Sequence, residues 1–562
     1  MNPSKNKRIV IIGGVAAGTK TAAKARRQDP QAEIVLFTDE EYISYAGCGE
    51  PYYVSGDIPK REMLLARTPE QFEELMGIRI FTLHRVSRID PEKKNIEVKD
   101  LRNGAARLES FDALVIATGA SPIVPPIPGV QLRGVFTLRT VPDAEDIRER
   151  IDSGAVKRAV VVGGGFIGLE MAESFVRRGV HVTVIERLPQ LAPPYDAEVA
   201  SMLLIEARSK GIRVLLNTTL EEILDDEKKN VRAVKAGGEE IPADLVLLSV
   251  GARPNTRLAQ DAGIELGPTG AIRVNNRLQT NYPFIYAAGD CTETTHIVTG
   301  KPVWIPLGST ANRQGRVLAI NITGGDAVFP GVLGTGIFRL FDLNAAKTGL
   351  SEREAKNEGF DFETVIVPVS DRPHYMPGGK NVTVKLIAER GGGRVLGAQS
   401  WGQGDVSKVI DTLAAAISFK ATVDDLTQLD LAYAPPFAPP LGNAAVAANV
   451  MQNKLQGATE GISPLEVKEK LDRNEDFIFL DVRNPKELKM LCTEKTVNIP
   501  LPRLAACYGE LSRDKEIVTS CGVGLRAASA YRLLKNKGYK NVRYMDGGIM
   551  SWPHPVPGPA KR

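Results

Sequence analysis

The stretch 158–168, Arg-Ala-Val-Val-Val-Gly-Gly-Gly-Phe-Ile-Gly, runs from an apolar segment straight into three consecutive glycines, with a fourth three positions on. An unbroken apolar run of that length reads as a buried parallel strand. Gly163, Gly165 and Gly168 have the G-x-G-x-x-G spacing of a strand-to-helix turn. The first glycine permits the tight turn, Gly165 lets backbone approach a pyrophosphate, and Gly168 lets helix and strand pack closely. Residues 169–178 read as the helix and 182–185 as the next strand, which ends at Glu186. The helix N-terminus then offers N–H groups and a positive dipole end to phosphates. An acid in Glu186's position binds ribose hydroxyls and repels a 2′-phosphate, so NADH is favoured over NADPH, with the neighbouring Arg187 working in the opposite direction.

The N-terminal region repeats the pattern in altered form. Residues 8–12 read as a buried strand, 13–18 as the turn, 19–27 as a helix and 33–37 as a second strand. Gly13, Gly14, Ala17 and Gly18 are candidate pyrophosphate contacts, but Val15 stands where the middle glycine would be. Thr38 replaces the strand-end acid, leaving Asp39 as the nearest carboxylate. The unit gains weight from two further strand ends, "LVIATGASP" at 114–122 with Thr118 and Gly119, and "IYAAGD" at 285–290. There, Asp290 is placed to hold a ribityl or phosphate group. Two such units imply two dinucleotides, or one dinucleotide and one cofactor with a similar pyrophosphate.

The chain of 562 residues is too long for one core. The reading divides it into a discontinuous first domain (1–115 and 246–330), an inserted second domain (116–245), an α+β domain of alternating strands and then helices (331–455), and a further unit (461–555). The Pro-rich tail from 553 reads as disordered. A net charge of +4 is small for this length and points to neither nucleic acid nor membrane. Five scattered cysteines, without a C-x-x-C, exclude a disulfide scaffold and a zinc cluster, and fit a reducing, cytoplasmic setting. The start, with Lys5, Lys7 and Arg8 before an apolar run, mimics a signal peptide but reads as the first strand. No uncharged run reaches the roughly 18 residues of a membrane span.

Between the first two units lies "ISYAGCGEPYY" (43–53), with one cysteine, Cys48, and no second within forty residues. Together the segments resemble the FAD- and NAD(P)H-dependent pyridine nucleotide-disulfide oxidoreductases over 8–450. The run Ser44-Tyr45-Ala46-Gly47-Cys48, then Pro51-Tyr52, resembles their coenzyme A-disulfide reductase branch. Thr38 and Gly47 depart from it, the latter standing where an asparagine can occur. The resemblance implies that Cys48 alternates between thiolate and a mixed disulfide with coenzyme A, and thiol exchange would want a lowered pKa. It also implies CoA contacts at Ser44 and at Lys20, Lys24 and Arg27, which fall on one helical face. Tyr375 and Tyr433 are implied to reach the sulfur from the partner subunit of a homodimer, a phenol being able to donate to a departing thiolate. No histidine stands in the first turn, as single-cysteine oxidases and peroxidases have, and none lies between 375 and 553, where a His-Pro base would be.

The last unit has a strand ending in Asp-x-Arg (477–483). A second strand (517–520) leads into Cys521-Gly522-Val523-Gly524-Leu525-Arg526, a C-x-x-x-x-R loop opening a helix. Such a loop cradles sulfur in backbone N–H groups and favours a thiolate or persulfide. Residues 460–553 resemble a rhodanese, implying a sulfurtransferase nucleophile at Cys521 with Arg526 in the same loop. Cys291, Cys492 and Cys507 read as structural.

The expected architecture is thus α/β: two Rossmann-like FAD- and NAD(P)-binding domains, an α+β dimerisation domain and a C-terminal α/β rhodanese domain. The expected enzyme reduces CoA-disulfide, CoA-persulfide or polysulfide through Cys48 while Cys521 handles sulfane sulfur. The alternatives are a sulfur carrier or redox sensor with incidental flavin turnover, and a single-cysteine NADH oxidase or peroxidase. No metal is expected.

Overall fold

The computed structural model describes residues 6–489, 493 and 495–553. Cys492 and the tail from 554 lie outside the described residues. The chain forms two compact units, Met1–Arg187 with Thr218–Val332, and Leu188–Asn217 with Leu333–Arg562. Among the described residues no helix is long and apolar enough to cross a membrane, and no group of three metal-ligating side chains occurs.

In the first unit, a parallel sheet runs in the order Ile285–Ala287, Ala113–Ile116, Arg8–Ile12, Glu33–Phe37, Arg79–Phe81. Its apolar strands are buried on both faces. Ile9, Ile11, Ile34 and Leu36 feed one core, and Val10, Ile12, Val35 and Phe37 the other. The helix Ala16–Gln28 starts directly after the glycines, three residues before its expected start. A second parallel arrangement has Arg158–Val162 between His181–Ile185 and Leu245–Leu248, with Val135–Phe136 beyond. Here too the helix Phe166–Arg177 begins inside the glycine motif.

That pairing corrects one expected boundary. The first domain does not resume at 246, because Leu245–Leu248 lies beside Arg158–Val162 in the second sheet. The first sheet resumes only at Ile285. Two antiparallel three-stranded meanders (84–110 and 220–242) accompany the sheets. The short pair Ala120–Pro122 and Ala252–Pro254 carries the chain out and back.

The second unit takes in 188–217 and contains the antiparallel sheet of the third domain. That sheet orders Gly336–Leu340, Leu343–Gly349, Val395–Gly402, Asn381–Glu389 and Phe362–Ser370. Its Lys385, 1% exposed, bonds to Glu352 at 2.6 Å and Glu198 at 2.9 Å, with Asp196 at 3.2 Å. Three carboxylates around one buried ammonium hold the helix Ala197–Ser209 against the sheet, and burial charges a high cost for breaking any of them.

The C-terminal part has its own five-stranded parallel sheet, in the order Gly461–Ile462, Val542–Met545, Glu516–Ser520, Phe477–Asp481, Val497–Asn498. It is joined to the third domain by more than a tether. Lys454, in the helix Asn443–Leu455, reaches Asp546 of the C-terminal part at 2.6 Å and the Thr364 carbonyl at 2.7 Å. Both charged residues are buried. Gly461 ends the linker against this pair. A Cβ there would stand 2.5 Å from Lys454 Nζ and 2.8 Å from Asp546 Oδ1.

Candidate functional site

The two glycine turns are built alike. Gly13 and Gly163 adopt φ of +109° and +108°, and a Cβ on either would run into the carbonyl of the neighbouring strand's continuation, Ala117 or Ser249. Gly18 and Gly168 lie against the carbonyls of Gly13 and Gly163, so the helix must sit on its own turn. Gly165 differs, since a Cβ there would meet nothing within 4 Å. Open space at the start of a helix, facing the positive end of its dipole, is what a pyrophosphate requires. Glu186 is buried, and its Oε2 accepts the Gly164 N–H at 2.7 Å, placing the carboxylate over the turn. These residues fit a bound dinucleotide.

At the first turn the details depart from expectation. Asp39 turns to Arg85 (3.1 Å), half-exposed, whereas Thr38 is buried against Gly14. Thr38 therefore faces the turn and Asp39 does not. Thr118 donates its hydroxyl to the Asn255 carbonyl at 2.7 Å, and the Asn255 amide returns a bond to the Thr118 carbonyl at 2.9 Å. The adjacent Gly119 has φ +68°. Asp290 follows Gly289, which closes on Ala17 so that the strand end meets the first helix. Burial raises the Asp290 carboxyl. Two turn ends and an acidic strand end thus converge at the start of Ala16–Gln28, an arrangement that fits a flavin dinucleotide.

Ser44 links this turn to the cysteine loop. It adopts φ +48°, donates its N–H to the Gly14 carbonyl and accepts the Ala66 N–H, both at 2.8 Å. A non-glycine residue in the left-handed region is strained, and here backbone bonds on both sides hold it there. Cys48 follows in a short turn of helix, Gly47–Gly49, and is exposed. The expected lowering of its pKa is not found. Burial by surrounding protein pushes the thiol up, and the carboxylates of Glu170, Glu50 and Asp290 add to the effect.

Three residues that sequence reading passed over shape this region. Arg139 bonds Glu40 at 2.8 Å and donates to the Tyr45 hydroxyl at 3.3 Å, while Tyr45 donates to Glu40 at 2.7 Å. Glu50 lies 2% exposed, two residues beyond the cysteine. The only signal for them was their closeness in sequence to Cys48 or to a strand end. Lys20, Lys24 and Arg27 stand on the first helix as expected, with Lys24 donating to Gln28 at 2.6 Å and Arg27 exposed. The adjacent Arg26 is structural, binding the carbonyls of Met76, Pro30 and Ala32.

In the second unit the two tyrosines come together, with the hydroxyls of Tyr375 and Tyr433 3.4 Å apart on exposed side chains. Their mutual bond raises the Tyr375 phenol. Cys521 is 1% exposed, and its Sγ accepts the Gly524 N–H at 3.2 Å. The loop is braced from behind, where Ile549 and Met550 donate N–H groups to the Cys521 and Gly522 carbonyls at 2.9 and 3.0 Å. Arg526 points its fork to Glu487 (2.6 and 2.8 Å), a residue not anticipated, and holds that carboxyl down at about 2. Asp481 and Arg483 form a buried bidentate pair beneath. Cys291 is inert, with its thiol buried, bonded to the Ile116 and Ala288 carbonyls, and pushed up to about 11.

Comparison with known proteins matches three family models in order along the chain: pyridine nucleotide-disulphide oxidoreductase (7–315), the dimerisation domain of that family (337–445) and a rhodanese-like domain (463–554). An NAD(P)H coenzyme A polysulfide/persulfide reductase of Pyrococcus horikoshii is 39% identical over 80% of this chain and 100% of that protein. Reduced CoADR-RHD of Bacillus anthracis superposes with a TM-score of 0.93, at 36% identity, over 98% of both chains. An NAD-dependent persulfide reductase from A. fulgidus gives a TM-score of 0.92, at 42% identity, over 97% of this chain and 100% of that one. With both glycine turns, the cysteine loop and the C-terminal cradle in place, the chain belongs to the pyridine nucleotide-disulphide oxidoreductase family and carries a C-terminal rhodanese-like domain.

Proposed function

We propose that this FAD- and NAD(P)H-dependent oxidoreductase reduces CoA-disulfide, CoA-persulfide or polysulfide through Cys48, with Cys521 handling sulfane sulfur. One observation carries the reading. Cys48 is exposed on a loop fastened by Ser44 to the first phosphate turn, while Cys291 of the same unit is buried and bonded to carbonyls. Its disulfide partner must then come from outside the loop.

Bound FAD supplies the passage of two electrons between the nicotinamide and the sulfur. Gly163, Gly165 and Gly168 hold the dinucleotide and Glu186 its ribose. Gly13, Gly14, Gly18, Thr118, Gly119 and Asp290 hold the flavin, with Thr38 taking the place expected of Asp39. Lys20, Lys24 and Arg27 bind the CoA phosphates. Tyr375 and Tyr433, as a hydroxyl pair, donate to the departing thiolate from the second subunit of a homodimer. Cys521 carries a persulfide in its N–H cradle, and the enzyme works in the reducing cytoplasm.

Steady-state NADH oxidation with CoA-persulfide tests this reading. Sustained turnover supports it, and a single reduction per site that then stops would make the chain a sensor. Mass spectrometry of the purified protein should find a CoA adduct on Cys48.

A further inference from the structure

Glu50 is a buried acid with an incomplete set of partners. It is 2% exposed, and its Oε1 makes no hydrogen bond. Buried carboxylates are normally paired or bonded, because desolvation penalises the charged form. The oxygen lies beside Gly47, the residue before Cys48. A Cβ on Gly47 would stand 3.9 Å from Oε1. Gly47 itself presents no side chain to this oxygen.

The surroundings favour a proton on this carboxyl. Asp143, on the helix Val141–Asp152, and Glu40 add negative charge, whereas Arg139 opposes them. Arg139 directs its donors to Glu40, Tyr45 and the Ala120 carbonyl instead. Burial, Asp143 and Glu40 together push Glu50 up to about 8. From the other side, ionised Glu50 is one of the charges that raise the Cys48 thiol, together with Glu170 and Asp290. An ionised Glu50 therefore disfavours the Cys48 thiolate, and a protonated one relieves it.

We propose that Glu50 is the proton acceptor for Cys48: its unpartnered carboxyl beside Gly47 takes the Cys48 thiol proton and returns it to the departing sulfur. In that step the Cys48 S–H bond breaks and a Glu50 O–H bond forms. The thiolate pair attacks one sulfur of the substrate S–S bond, making the Cys48 mixed disulfide as the old S–S bond breaks. The leaving thiolate takes the Glu50 proton and departs as a thiol. The substrate disulfide is the only oxidant consumed. This rests on the reading of Cys48 as the redox cysteine.

The test uses full-length, flavin-loaded protein, reduced and freed of adducts with dithiothreitol. Iodoacetamide alkylation of Cys48 is followed by peptide mass spectrometry across pH. Wild type should show two inflections, the lower set by Glu50. Glu50→Gln should show one, moved to lower pH, and should lose about tenfold in kcat for CoA-disulfide with little change in KM. Glu50→Asp should restore both inflections and much of the rate. Superimposable profiles for wild type and Glu50→Gln, or an unchanged kcat, would overturn the proposal. The alkylation profile needs no turnover, so it tests Glu50 separately. CoA-disulfide turnover in Cys48→Ser would instead sink the reading of Cys48.

Discussion

Cys48 and Cys521 handle the same element from opposite settings. Cys48 is exposed on a surface loop, surrounded by acids that raise its thiol. Cys521 is buried, bonded by a backbone N–H and braced by the loop that carries Gly548. A Cβ on Gly548 would run into the Cys521 carbonyl, so the brace is as close as backbone allows. The difference teaches where each site gets its reactivity. The Cys521 setting is a property of main-chain geometry, the Gly524 N–H on its sulfur and the N–H groups of Ile549 and Met550 on the loop carbonyls being in place in the folded chain. The Cys48 site has exposure and carboxylates that raise its thiol, so its thiolate depends on what binds and on where protons go.

The comparison breaks most sharply at Cys48. Cys48→Ser should keep flavin and its reduction by NADH while losing CoA-disulfide turnover by about 10³-fold or more, measured by stopped-flow and steady-state assays. Undiminished turnover would remove Cys48 from the chemistry. Next in size is the support behind Cys521. Lys454→Met strands the Asp546 carboxylate in a dry site and should destabilise the second unit by about 3–5 kcal/mol in urea unfolding. Replacing both residues by apolar ones should recover most of that loss.

Cys521→Ser should leave CoA-disulfide reduction within about twofold while lowering polysulfide reduction about a hundredfold, because persulfide transfer to a thiol needs a nucleophile. Equal loss on both substrates would make Cys521 structural, and no loss on either would give the cradle a separate reaction. The smallest effect concerns the nicotinamide. Glu186 over the Gly164 N–H should give NADH about a tenfold advantage in kcat/KM, about 1.4 kcal/mol, and Glu186→Gln should narrow it. A higher value with NADPH would refute the assignment.

The fold class was legible because its signals are local. Glycine spacing, an apolar run before it and a helix after it fall within about 30 residues of chain. Which sheet a strand joins is not local. "LVLLSVG" reads as buried strand in either domain, and only pairing with Arg158–Val162 decides between them. At the sites, cysteines stood out by rarity and glycines by pattern. Glu50 and Glu487 did not, since a glutamate in a polar stretch carries no mark of burial or of an arginine facing it. The thiol of Cys48 was expected to be acidic from its chemistry, and the acids that reverse this, Glu170, Glu50 and Asp290, come from three separate segments.

The contact of Lys454 with Asp546 bears on where this chain can be cut. The partners are 92 residues apart, yet the linker between the domains ends inside their contact, at Gly461. A protease nick in 456–461 would not release a self-sufficient module. It would leave one fragment with a bare ammonium and the other with a bare carboxyl, each needing the other's surface to stay dry. The C-terminal domain is therefore welded on rather than hung on a string, and in the second unit heat that loosens one half should be felt by the other.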